Sequence, residues 1–102
     1  MIIYSVTTNI DESCLPEWEN WMRQTHIPKV MKSGCFVSYR FTRLLDEVPE
    51  SDGVTYNVQY QAEDMDAYVN YRENYGPALK EETQMRYAGK FASFRTLLEQ
   101  ID

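Results

Sequence analysis

Residues Val54 to Ala62 read VTYNVQYQA, and this stretch decides the fold. Val54, Tyr56, Val58, Tyr60 and Ala62 alternate with Thr55, Asn57, Gln59 and Gln61. A period of two puts the first set on one side of an extended chain and the second set on the other. The pattern predicts a strand with one face against a core and the other face polar yet uncharged, as in a half-covered antiparallel sheet.

On its N-terminal side, Asp46 to Gly53 (DEVPESDG) reads as an acidic hairpin connection punctuated by Pro and Asp-Gly. Before it, Phe36 to Leu45 predicts the partner strand, with Val37, Tyr39 and Phe41 opposite Ser38, Arg40 and Thr42. On the C-terminal side, Glu63 to Asn74 predicts a helix whose acidic residues lie at its N-terminal end, where the dipole favours them. Met65, Tyr68, Val69 and Tyr75 are its expected inner face. Gly76-Pro77 interrupts that helix, and Pro77 suits the first turn of a continuation reaching about Tyr87 and closed by Gly89. Leu79 and Met85 are the expected apolar anchors there. Phe91 to Ile101 predicts a last strand and Ile2 to Thr8 a first one, rich in Ile, Tyr, Val and Thr. Between that first strand and the next helix, Asp11 or Ser13 supplies a cap.

The remaining stretch, Leu15 to Gly34 (LPEWENWMRQTHIPKVMKSG), holds both tryptophans and the only histidine. At roughly 100° per residue, Trp18, Trp21, Met22 and Thr25 share one arc with Leu15, and His26 lies at its edge. Pro28 lacks an amide hydrogen and disfavours helical angles at Ile27. The helix is therefore expected to break around His26 or Ile27, restart over Pro28 to Lys32, and stop at Gly34.

The order is strand, helix, strand, strand, helix, strand. This predicts an α+β chain with the ferredoxin-like βαββαβ arrangement: a four-stranded antiparallel sheet with both helical layers on one face. Residues 1–102 form one domain, with no repeat, low-complexity tract or linker. The opposite sheet face is left bare, and the neutral set Thr55, Asn57, Gln59 and Gln61 lies on it. Such groups cost less to bury than charges, provided each finds a partner. A homodimer paired sheet to sheet is the expected assembly.

Composition narrows the function. Sixteen acidic residues against ten basic give a net charge of -6, and no basic cluster offsets it locally, so nucleic acid is not an expected partner. No run approaches the roughly 18 apolar residues of a membrane span. The opening MIIYSVTTNI lacks the basic and apolar regions of a signal peptide. With Cys14 and Cys35 isolated rather than in CxxC spacing, a cytoplasmic protein with reduced thiols is expected. No cofactor motif or metal-ligand spacing is present. The eight tyrosines are apolar rings whose hydroxyls need partners, which suits a cavity or an interface.

Taken together, several groups of residues carry a resemblance. They include MIIY at the start, Asn9-Ile10-Asp11-Glu12, Trp18, Trp21-Met22, His26-Ile27-Pro28, Gly34, Thr55-Tyr56 and Val58-Gln59-Tyr60. They continue with Tyr71, Pro77-Ala78-Leu79, Lys90-Phe91, Phe94-Arg95-Thr96 and Leu98-Glu99. Over nearly its whole length the chain resembles an uncharacterised bacterial domain-of-unknown-function family of dimeric α/β-barrel proteins. The resemblance implies a ferredoxin-like subunit paired with its twin, and no activity. More distantly, the tryptophan-rich helix ending in His-Ile-Pro is similar to the antibiotic-biosynthesis-monooxygenase and EthD-like groups, whose wider class includes cofactor-free oxygenases, isomerases, haem-handling proteins and proteins with no known chemistry. Fold is a poor guide to function across such a class.

Candidate site residues follow from residue chemistry. A neutral imidazole near physiological pH can take a proton from a carbon acid or phenol, which makes His26 a candidate catalytic base. Its alternative role is to buttress the helix above Pro28. Trp18, Trp21 and Met22, with Tyr4 and Tyr56, could line a ligand pocket or simply fill the core, and the strand tyrosines Tyr39 and Tyr60 could likewise supply hydroxyls to a cavity or pack. Arg95 could bind a ligand carboxylate or form an interface salt bridge. Three functions fit: a homodimer binding a small hydrophobic or aromatic molecule, a cofactor-free monooxygenase or isomerase, and a non-catalytic protein-interaction module.

Overall fold

The computed structural model describes residues 1–46 and 52–102. Strands β1 (Ile2–Ile10), β2 (Ser38–Arg43), β3 (Val54–Ala62) and β4 (Phe91–Glu99) form one antiparallel sheet in the order β2-β3-β1-β4. β1 is central: Tyr4 faces Tyr60 of β3 and Leu97 of β4, while Val6 faces Val58 and Arg95. This register sends Tyr4, Val6, Val58, Tyr60, Ser93 and Arg95 to the same side. The expected alternation in β3 is observed, with Tyr56, Val58, Tyr60 and Ala62 buried and the neutral polar set half-buried. Most of the hairpin connection expected over Asp46 to Gly53 lies outside the described residues.

The first helical layer comprises α1 (Glu17–Trp21), a π-helical turn (Met22–His26) and α2 (Ile27–Lys32). Asp11 caps the short 3-10 turn before it, its carboxylate accepting from the Ser13 amide at 2.8 Å. The break expected at His26 or Ile27 does not occur. Both residues keep right-handed helical angles, and the Ile27 amide reaches back five residues to the Met22 carbonyl. The physical reason lies in the spacing of the apolar residues. Trp18, Trp21 and Met22 are buried, and so are Ile27 and Val30. At roughly 100° per residue an unbroken α-helix would put Ile27 opposite Trp18. A π turn holds one more residue, which rotates the second set back onto the first set's face and lets the chain pass Pro28 without breaking. Gly34 then ends the layer at φ +77, a conformation that costs glycine little.

The second layer is α3 (Met65–Asn74), capped by Asp64, whose carboxylate accepts from the Ala67 amide at 2.9 Å, followed by α4 (Gly76–Tyr87). The expected inner faces need correction. Tyr71 and Tyr87 are the buried anchors, Tyr68 and Leu79 pack beside them, and Met65, Tyr75 and Met85 are exposed. Tyr71 and Tyr87 carry large rings to the core, whereas Met65 and Met85 lie on the faces turned to water. Both layers cover one sheet face, as expected for a ferredoxin-like fold. Among the described residues no helix is long and apolar enough to cross a membrane.

Candidate functional site

Between the sheet and the two helical layers lies a cavity of about 400 Å³. The sheet supplies Tyr4, Val6, Thr8, Val58, Tyr60, Phe91, Ser93 and Arg95 to its wall. The first layer adds Trp18, Met22, His26 and Val30, and the second adds Tyr71, Leu79, Lys80, Glu81, Thr83 and Gln84. Its interior is thus mostly aromatic and aliphatic, with a few polar groups converging on it, which is the usual composition of a small-molecule site.

Five residues singled out in the sequence meet here: His26, Tyr4, Trp18, Met22 and Arg95. Trp21 and Tyr56 lie outside the lining. Trp21 sits behind His26, its ring 5.1 Å from the imidazole and 5.3 Å from Tyr87. Arg86 lies 5.6 Å over its face. Glu17 locks this corner by accepting from the Tyr87 hydroxyl at 2.6 Å and from Arg86. Tyr56 sets its ring 4.8 Å from Trp18, tilted by 53°, but donates its hydroxyl to Glu19 at 2.7 Å, in a separate groove lined also by Arg43. Burial, followed by the hydrogen bond to Glu19, pushes the Tyr56 phenol up to about 12.

Tyr60, one of the strand tyrosines expected to offer a hydroxyl or to pack, lines the cavity as well, whereas the sequence does not single out Tyr71 or Lys80 as site residues. Lys80 gave no signal, since an exposed helix lysine has no distinguishing neighbours in sequence.

His26 is unusual electrostatically. Its Nδ1 is buried with no hydrogen-bond partner, and burial pulls the imidazole down from 6.5 to about 4, against an opposing pull from Glu82. The ring is therefore neutral at pH 7. A buried donor with no acceptor is costly, and a neutral imidazole carries one proton on one nitrogen. One ring nitrogen therefore donates and the other accepts, and the Nδ1 side is shut off from the surroundings.

Tyr4 and Arg95 form the second polar element. Arg95 Nε donates to the Tyr4 hydroxyl at 2.8 Å. Burial raises the Tyr4 phenol and the adjacent guanidinium partly offsets this. Tyr4 is itself held by rings on three sides, with Tyr60 at 6.0 Å, Tyr68 at 5.4 Å and Tyr71 at 5.7 Å. Burial also raises Tyr60 and Tyr71 well above the ordinary phenol range, so all three stay protonated. Arg95 in turn lowers the affinity of Lys80 for its proton. Among the described residues no three His, Cys, Asp or Glu side chains gather into a metal-ligating group.

The family described as "Domain of unknown function (DUF4286)" matches residues 1–101. The chain belongs to this family. No curated protein matches the sequence of this DUF4286 domain. Among solved structures, it is similar to an ethyl tert-butyl ether d (EthD) family protein from Bacillus halodurans, with TM-score 0.71 and 13% identity over 99% of this chain and 100% of that one. It is also similar to a mutant of SnoaB, a cofactor-independent oxygenase from Streptomyces nogalater, with TM-score 0.68 and 19% identity over 99% and 94% of the two chains. A dimeric ferredoxin-like protein from an uncultured marine organism matches with TM-score 0.60 and 16% identity over 99% and 97%. An antibiotic biosynthesis monooxygenase shares the architecture as well. At these identities the likeness is one of fold.

Proposed function

We propose that this protein is a homodimer whose subunits each bind a small hydrophobic or aromatic molecule. The cavity of about 400 Å³ carries the reading. Its walls combine flat aromatic surface from Trp18, Tyr4 and Tyr60 with a neutral imidazole from His26 and a cation from Arg95. An interaction module needs no such cavity, which makes that third reading the weakest.

The bare sheet face supports the dimer. Phe94 on it is 62% exposed and Leu98 40%, while its polar centre is already paired. Asn57 donates to Ser5 Oγ at 2.9 Å and to Thr7 Oγ1 at 3.1 Å. Internally satisfied amides and hydroxyls are cheaper to cover than unpaired ones. One protein of similar fold is described as dimeric.

A cofactor-free monooxygenase or isomerase with His26 as general base is the second reading, favoured by the placement of the imidazole in the cavity wall and by the likeness to a cofactor-independent oxygenase. The depressed basicity of His26 weighs against it, since a base works best with a pKa near the operating pH.

Native mass spectrometry on the protein as purified tests the proposal. The expected result is a dimer mass carrying an additional small molecule. A monomer mass at every concentration refutes the homodimer, and a clean dimer mass shifts the assignment to the interaction module. If a substrate emerges, His26→Ala separates the first two readings: lost turnover with retained binding favours chemistry.

A further inference from the structure

The charges around the cavity run against those of the chain. The protein carries a net charge of -6, yet the charged groups lining the cavity are Arg95, Lys80 and Glu81, two cations against one carboxylate. Among the described residues neither Arg95 nor Lys80 lies within ion-pair distance of an acidic group. Two helix arginines outside the lining are paired instead, Arg86 with Glu17 and Arg72 with Glu73.

Arg95 is also pre-oriented. Its Nε is committed to the Tyr4 hydroxyl at 2.8 Å, and Tyr4 is buried and wedged among rings. That bond fixes the guanidinium plane and leaves the two terminal nitrogens, a fork that matches the two oxygens of a carboxylate. His26 stands in the cavity wall as a neutral ring and so brings no competing charge to this side.

From this arrangement we infer that the cavity takes an aromatic carboxylate. Its acid group meets the terminal nitrogens of Arg95 with Lys80 at the rim, and its ring lies against Trp18, Met22 and Val58. The inference rests on the small-molecule reading above and names the ligand class. A neutral ring of equal size would gain the same apolar contact and leave the guanidinium without an anion.

Isothermal titration of the full chain with 1-naphthoate and with its neutral isostere 1-naphthamide tests this at pH 7. The expected result is binding of the carboxylate tighter than the amide by about tenfold or more, the worth of a hydrogen bond to a charged group. Arg95→Gln should erase that preference while leaving amide binding in place, and Lys80→Gln should reduce it. Equal affinity for the two probes, or tighter binding of the amide, overturns the carboxylate assignment and leaves the small-molecule reading standing. Binding of neither probe overturns both.

Discussion

Acid should destabilise this protein, and the share carried by His26 can be worked out. Its imidazole ordinarily titrates at 6.5 and is pulled down to about 4 in the fold, chiefly by burial. Between these two values the unfolded chain binds a proton that the folded chain refuses. The unfolded state then holds more protons, so stability falls as pH falls through this window and is flat above it. The loss from this residue is about 1 kcal/mol at pH 6, about 2 kcal/mol at pH 5 and about 3 kcal/mol at pH 4. The assay is urea unfolding across that range for the native chain and for His26→Gln. Carboxylates held below their usual range, such as Asp11 and Glu17, lose stability in acid in both proteins, so the difference between the two curves isolates the imidazole. Because His26 is the only histidine, its ring protons can also be titrated directly by proton NMR. A midpoint near the ordinary histidine value, or parallel pH curves for the two proteins, would refute the claim that the ring is buried and neutral. It would also restore His26 as a plausible base.

Two further expectations concern packing and caps. Trp18 is only 1% exposed and meets Tyr56 and Phe41, so Trp18→Ala should cost about 3–5 kcal/mol; chemical unfolding measures it, and a loss below about 1 kcal/mol would contradict the core assignment. Asp64→Ala removes the acceptor for the Ala67 amide and should lower stability by about 1 kcal/mol with an unchanged denaturant slope. An unaltered midpoint would show that this cap contributes nothing.

The sheet was readable because its signals are local and redundant. Alternation in Val54 to Ala62 set a buried face and a polar face without reference to any other strand. The site was less readable, since it depends on which elements meet. Tyr4, Trp18, Met22, His26 and Arg95 could be nominated by residue type, but Trp21 and Tyr56 share the same credentials and lie outside the cavity. The difference is a matter of angle around the helix and position along the sheet. In the first helical layer two signals conflict: Pro28 points to a break, whereas the apolar gap of five residues between Met22 and Ile27 suits a π turn. That spacing was present in the sequence and carries the correct answer. Met85 shows that apolar type alone is no sign of burial, since it is 78% exposed.

The strand order β2-β3-β1-β4 has a consequence for how the molecule assembles. β1 lies at the centre of the sheet and is flanked by strands that follow much later in the chain, so that Ile10 lies beside both Val54 and Phe91. Each pairing closes a long loop before any ladder contact repays the entropy, which slows folding compared with a helical bundle of equal size. β4 makes the longest of these closures, and it carries Phe91, Ser93 and Arg95. The wall that closes the cavity therefore depends on the most distant pairing in the chain, and the cavity is complete only after the two terminal strands have found each other.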